Sequence, residues 1–227
     1  MKYVKLLQSQ RVAGLIIAPT TKKSVEYLLK SKLNFILFDR VYHNVKTNYV
    51  SSDHYQGAYD ATEYLIKLGH RKIMILKGPG VLYPDIERYS GFEDAMKKNK
   101  VTIDKNLVLN CEFNENLAFD TVTNLLKKKE RPTAIFPFNG LMTKGVIKAT
   151  QKLNLSIPDD MSLLSFDEIP GQDIFHPTVT HVIQPINTLG KDVIVALINI
   201  IKNKRPKRKT KIFLKPRLVI GNSCKRI

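Results

Sequence analysis

The chain has no tryptophan, only two cysteines, and no acidic residue beyond Asp192. Cys111 and Cys224 make neither a disulfide framework nor a zinc site; they suit a reducing compartment, each as an inert packed thiol. No apolar run approaches the roughly 18 residues that span a bilayer. Behind Met1-Lys2-Tyr3-Val4-Lys5 no continuous apolar stretch follows, so no secretory leader is expected. Also missing are the G-x-x-x-x-G-K-[ST] phosphate loop, the G-x-S-x-G elbow and H-E-x-x-H. Gly78-Pro79-Gly80 lacks the third glycine of G-x-G-x-x-G. The histidines His43, His54, His70, His176 and His181 show no spacing that suggests a shared metal. His70, directly after the helix-ending Gly69, is expected to make a structural hydrogen bond rather than act as a base. Membrane protein, small secreted scaffold and zinc finger are thereby excluded. Nothing supports an enzyme: no catalytic residue, cofactor or metal is expected. Internal repeats and low-complexity tracts are absent.

What is present is a basic, well-mixed sequence of 227 residues, 43 % hydrophobic and 25 % charged, with a net charge of +17. That composition describes a folded chain with one large or two small domains, not a disordered basic tail. The 11 basic residues after Asp192 leave only +6 for residues 1–192. The densest block is Lys202 to Lys211. Such a block is ordinarily a solvated loop, with a phosphate-binding patch as the sharper alternative.

Short apolar runs alternate with helix-length amphipathic segments. Val12–Pro19, Phe35–Asp39, Lys72–Pro79, Thr133–Phe138 and Ser162–Asp167 show no polar alternation, the pattern of strands covered on both faces. Helices are expected over Ser24–Lys32, Tyr55–Leu68, Tyr89–Lys98, Asn116–Lys128, Leu141–Leu153 and Thr188–Lys202, with a capping box at Asp53 and Gln56. This alternation predicts an α/β fold with parallel sheet. Lys211–Leu214 and Arg217–Ile220 are short strand pieces outside it. Ligands of such sheets sit beyond the carboxyl ends of the strands, which here carry Asp39, Gly78-Pro79-Gly80 and Asp167.

Local motifs then become specific. Gly57-Ala58-Tyr59 with Leu68-Gly69-His70-Arg71-Lys72-Ile73 resembles a signature of the lactose/galactose repressor family of bacterial transcription regulators. Matching segments follow in order: Gly78-Pro79, Glu87-Arg88-Tyr89-Ser90-Gly91-Phe92, Pro132-Thr133-Ala134-Ile135-Phe136 with Asn139, and Ile157-Pro158-Asp159-Asp160-Met161-Ser162. After these come Phe166-Asp167-Glu168-Ile169, Gln184-Pro185 with Leu189-Gly190, and Pro216-Arg217-Leu218-Val219-Ile220. The resemblance implies two doubly wound parallel-sheet lobes of the type I periplasmic-binding-protein kind, with a small effector in the cleft between them. It assigns residues 1–54 with 186–205 to a first lobe and 55–185 with 206–227 to a second. The family's helix-turn-helix headpiece, hinge helix and first strand–helix–strand unit should precede Tyr3, and none is present. Met1 is therefore expected to be an internal start or a boundary, the first lobe incomplete, and Val12–Pro19 an exposed sheet edge.

The resemblance also implies site residues. Arg88, placed just before a helix beginning at Tyr89, matches the cleft arginine whose fork suits vicinal oxygens or a carboxylate; its plain alternative is a surface ion pair with Asp85 or Glu87. Asp167 matches an aspartate that accepts ligand hydrogen bonds, and Asp39 ends its strand likewise; each could instead cap a turn. Asn139 matches an asparagine that bridges ligand oxygens, although Gly140 stands where the family usually has aspartate. Phe113 is an aromatic over the ligand or a core residue. Phe136 and Gln184 are further candidates, with packing and inter-lobe hydrogen bonding as their alternatives. The implied protein is a cytoplasmic, homodimeric repressor, non-enzymatic and needing no cofactor, whose effector is a sugar or, in some members, a purine. Operator DNA would be touched only through the headpiece. A periplasmic-type sugar-binding protein serving transport is the alternative.

Overall fold

A computed structural model of the chain describes residues 2–42, 44–128, 130–169, 171, 177–203 and 208–227. His43, His176 and residues 204–207 of the basic block lie outside the described residues. The chain divides into two compact units, Met1–Asp53 with Pro185–Lys215, and His54–Gln184 with Pro216–Ile227.

The first unit contains helix α1 (Lys2–Ser9), strand β1 (Leu15–Ile17), helix α2 (Lys22–Lys30), and strands β2 (Phe35–Phe38) and β3 (Tyr49–Ser52). Later in the chain it gains α7 (Ile186–Lys202) and β9 (Lys211–Leu214). Its sheet runs β1-β2-β3-β9, with every neighbouring pair parallel. Leu189, Val193, Ala196 and Ile200 recur at helical spacing, and that stripe of α7 packs on Ile36 of β2 and Val50 of β3. β1 stands at the edge of the described sheet with Ile16 exposed, although its apolar pattern is that of a strand covered on both faces. One assignment changes. β9 was expected in the second lobe, but it pairs with β3 in register Val50 to Ile212, completing the first sheet. Only β10 (Arg217–Val219) joins the second, where it pairs antiparallel with β8 (Thr180–Ile183).

The second unit alternates strand and helix: α3 (His54–Lys67), β4 (Ile73–Lys77), α4 (Tyr83–Lys98), β5 (Val108–Asn110), α5 (Glu115–Leu126), β6 (Ala134–Pro137), α6 (Gly140–Lys152) and β7 (Ser162–Phe166). Its sheet order is β10-β8-β7-β6-β4-β5, parallel apart from β10. Strands β4, β6 and β7 are buried on both faces, which is why they lack polar alternation. A second correction concerns α4. It starts at Tyr83, not Tyr89, because Pro84 sits in the first turn, where its missing N–H costs nothing. Arg88 is therefore inside the helix. No described helix is long and apolar enough to cross a membrane.

The Leu68-Gly69-His70 motif is structural. Gly69 takes a left-handed turn at φ 104°, and any Cβ there would meet the Ile227 carbonyl at 2.4 Å. His70, fully buried, then places Nδ1 2.9 Å from Thr133 Oγ1 and Nε2 3.2 Å from the Lys225 carbonyl. A carbonyl only accepts, so Nε2 carries the proton and Nδ1 accepts from the hydroxyl. Burial lowers the His70 pKa below its ordinary value, with Arg71 acting in the same direction and the Lys225 bond opposing. The unfolded chain thus binds this proton more readily than the folded one. The stability His70 contributes is full above about pH 6.5 and is lost as the pH falls below it, by at most about 1.4 kcal/mol per pH unit. Chemical unfolding between pH 7.5 and 5 should show this slope, and His70→Gln should flatten it.

Candidate functional site

The carboxyl ends of the second unit's strands converge on one guanidinium. Arg88 projects from the second turn of α4 and is 4 % exposed. Its Nη1 donates to the Phe138 carbonyl at the end of β6 and lies 3.4 Å from Asp167 Oδ2 at the end of β7. Nε and Nη2 both face His54 Nδ1, at 3.4 and 3.2 Å. The guanidinium carbon lies 3.7 Å from the centroid of the Phe166 ring, a cation–π stack. Asp85, the ion-pair partner considered for Arg88, is occupied elsewhere. Fully buried, it accepts from Gly78 N at 2.6 Å and Gly80 N at 2.7 Å, clamping the turn after β4. Arg88 is buried rather than on the surface, and the ion pair described for it is with Asp167.

Asp167 is built into its strand end. Its φ is 70°, its N–H donates to the Val182 carbonyl at 3.0 Å, and its own carbonyl accepts from Ser165 Oγ at 2.8 Å. Oδ1 accepts from Gln184 Nε2, so Gln184 orients the carboxylate from the end of β8. The carboxylate keeps 32 % of its surface exposed. Asp39 repeats this construction in the first unit. Its φ is 63°, its N–H donates to the Val50 carbonyl at 2.9 Å, and its carbonyl accepts from Ser51 Oγ at 2.8 Å. A left-handed backbone is tolerated by aspartate better than by most residues, and it turns the chain sharply at the strand tip. Asp39 belongs to the other unit and is not part of the Arg88 cluster.

The remaining candidates separate clearly. Asn139 is the N-cap of α6: its Oδ1 accepts from Met142 N at 2.9 Å, and its half-buried amide nitrogen makes no hydrogen bond among the described residues. Phe113 follows β5 on two consecutive left-handed residues, Glu112 at φ 53° and Phe113 at φ 55°. Its ring lies over Gly78, where any Cβ would come within 2.3 Å of it. Phe113 is half-buried and packs against the core. Phe136 leaves the list of ligand contacts. It is fully buried within β6 and meets Phe138 edge-on at 5.3 Å, which is core packing. Beside the cluster, burial and the neighbouring Glu93 push the Tyr89 phenol up to about 12, so it stays protonated, with Lys77 Nζ 4.5 Å from its ring centre. Sequence reasoning missed His54, the Phe138 carbonyl and the Phe166 ring. The signal available for His54 was its place just ahead of the Gly57-Ala58-Tyr59 motif.

The arrangement presents one partly open carboxylate, that of Asp167, held by a buried and fully engaged guanidinium. Comparison with known proteins identifies the family. The family model of the periplasmic binding protein-like domain matches residues 62–224. An HTH-type transcriptional repressor PurR of Photobacterium profundum is 31 % identical over 226 residues, covering 98 % of this chain and 67 % of that protein. A regulatory protein of LacI family from Chloroflexus aggregans superposes with a TM-score of 0.88 at 30 % identity, over 98 % of this chain and 80 % of that one. A protein described as a ribose operon repressor of Burkholderia thailandensis gives a TM-score of 0.83 at 26 % identity, over 96 % and 81 %. The chain spans about two thirds of the length of the curated relatives it matches.

The Arg88 cluster sets an energetic expectation. Arg88→Ala removes the donors of a buried network and leaves the Phe138 carbonyl and Asp167 without them, at a cost of about 3–5 kcal/mol. Gln184→Ala, at the rim, should cost under about 1 kcal/mol. Urea unfolding of both variants reads the difference.

Proposed function

The chain belongs to the LacI family of transcriptional regulators and contains the effector-binding domain of that family, and from that premise we propose that it binds a sugar at the strand ends around Arg88 and Asp167. The observation that carries the reading is the part-exposed Asp167 carboxylate held between a buried guanidinium and Gln184. Such a carboxylate accepts from two neighbouring hydroxyls at once, while the amide of Asn139 can donate and Phe113 supports an apolar ring face. Asp39 has the same strand-end geometry within the first unit. Effector binding shifts the conformational equilibrium of the repressor and, by linkage, its affinity for operator DNA through a headpiece. The protein acts in the cytoplasm as a homodimer. Its relatives are regulators, which favours this role over transport. A second reading is a purine effector, favoured by the PurR relatives.

A thermal-shift panel of pentoses, hexoses and purine bases separates the two. A sugar at about 100 times its Kd adds about 2.7 kcal/mol, a rise of roughly 5–10 °C for a chain of this size. Asp167→Ala should lose that rise while remaining folded. Stabilisation by purine bases alone selects the second reading, and a full response in Asp167→Ala removes this carboxylate from the site.

A further inference from the structure

The first unit holds 18 lysines and arginines against 4 acids, so it carries +14 of the chain's +17. The four acids are Glu26, Asp39, Asp53 and Asp192. Asp39 and Asp53 follow the carboxyl ends of β2 and β3, Asp192 lies in the first turns of α7, and Glu26 sits mid-way along α2 beside Lys22. Because all four strands of this sheet are parallel, the segments that feed them emerge at one end of it. Among the described residues those segments are 10–14, 30–34, 44–48, 201–203 and 208–210, and none contains an acid. Their exposed cations are Arg11, Lys30, Lys32, Lys46, Lys202, Arg208 and Lys209. Scattered along the sequence, they share one surface.

Hydrogen bonds lace that surface together. Leu15 N donates to the Asn34 carbonyl at 2.9 Å, and Asn34 Nδ2 to the Ala13 carbonyl at 3.2 Å. Leu37 N donates to the Asn48 carbonyl, and Thr210 N to Asn48 Oδ1, both at 2.9 Å. A depression of about 130 Å³ opens on it, lined by Ser31, Asn34, Asn48, Ile200 and Lys209 among others. Helix ends account for part of the charge. Lys30 and Lys202 stand at the carboxyl ends of α2 and α7, where a cation is stabilised by the helix dipole. Arg11, Lys32, Lys46, Arg208 and Lys209 lie outside helices and have no such explanation.

We propose that this acid-free end of the first unit's sheet is a binding surface for the phosphate backbone of duplex DNA, independent of base sequence and separate from any headpiece. Cations gathered on an acid-free surface pair with the phosphates of a duplex backbone and release its condensed counterions. The choice of DNA over another polyanion rests on the repressor reading above; the charge segregation itself does not. In an intact regulator such contacts strengthen non-specific association and shorten the search for an operator.

The test is fluorescence anisotropy of the full 227-residue chain with a random-sequence 30-base-pair duplex, between 50 and 200 mM salt. With about four to six phosphates engaged, affinity should fall roughly a hundred- to a thousandfold over that range. A Lys30→Gln, Lys32→Gln, Arg208→Gln, Lys209→Gln variant should bind at least tenfold more weakly, with a shallower salt slope. The matched control Lys97→Gln, Lys105→Gln, Lys127→Gln, Lys128→Gln, on exposed lysines of the second unit, should bind within threefold of the parent. If the first variant unfolds, Lys32→Gln with Lys209→Gln carries the same expectation at about half the size. Equal losses in both sets, no duplex binding at 50 mM salt, or variant-sensitive binding to phosphatidylserine vesicles with none to duplex overturns the proposal. A sugar-induced thermal shift in the same samples shows independently whether the effector reading stands.

Discussion

A guanidinium taken out of water must be satisfied by the protein around it, and that requirement organises the second unit. Arg88 draws on a carbonyl from the end of β6, an imidazole from the start of α3 and a carboxylate from the end of β7, over the ring of Phe166. Each partner belongs to a different element, so the elements cannot slide relative to one another without leaving a buried charge uncompensated. Gln184 extends the network to the end of β8. The resulting cluster is stiff, and stiffness is what a site needs to hold one carboxylate oxygen at a defined place without reorganising on binding. Asp85 does the same for the neighbouring turn, using both oxygens on backbone N–H groups.

The strand ends of the two units repeat one device. At Asp39 and at Asp167 the backbone turns left-handed, the N–H closes onto a valine carbonyl of the next strand, and a serine hydroxyl ties the aspartate's carbonyl. Glycine would adopt the turn with less strain. Aspartate there adds a carboxylate at a fixed angle to the sheet edge, and in Asp167 that carboxylate is the accessible face of the Arg88 network. One construction thus sets both the geometry of the turn and the direction of the carboxylate.

Much of the fold was legible. The runs at Phe35, Lys72, Thr133 and Ser162 became strands because sheets covered on both faces need uninterrupted apolar residues, and the expected helices other than α4 fell within about two residues of their spans. β3, β5 and β8 were not anticipated: Tyr49–Ser52 and Thr180–Ile183 carry Ser, Thr and His, whose burial depends on partners that periodicity does not show. The start of α4 lies six residues before the expected Tyr89, with Pro84 in its first turn, where a missing N–H costs nothing. In the site, the motifs located Arg88 and Asp167, but their mutual bond, the role of His54 and the retreat of Phe136 into the core depend on side-chain direction. Strand parity decides which face a residue takes, and a one-residue shift reverses it.

Sequence alone determined the fold class, the family resemblance and the strand-end residues, because apolar periodicity and short collinear motifs are local properties of the chain. It also determined the amount of positive charge, but not its arrangement. Only the tertiary structure decided that β9 completes the first sheet, and that Arg11, Lys32, Lys46 and Lys209, distant in sequence, stand at one acid-free end of it. The physical reason is the parallel sheet itself. It sends every feeding segment to the same end, so charges that are scattered in one dimension are gathered in three.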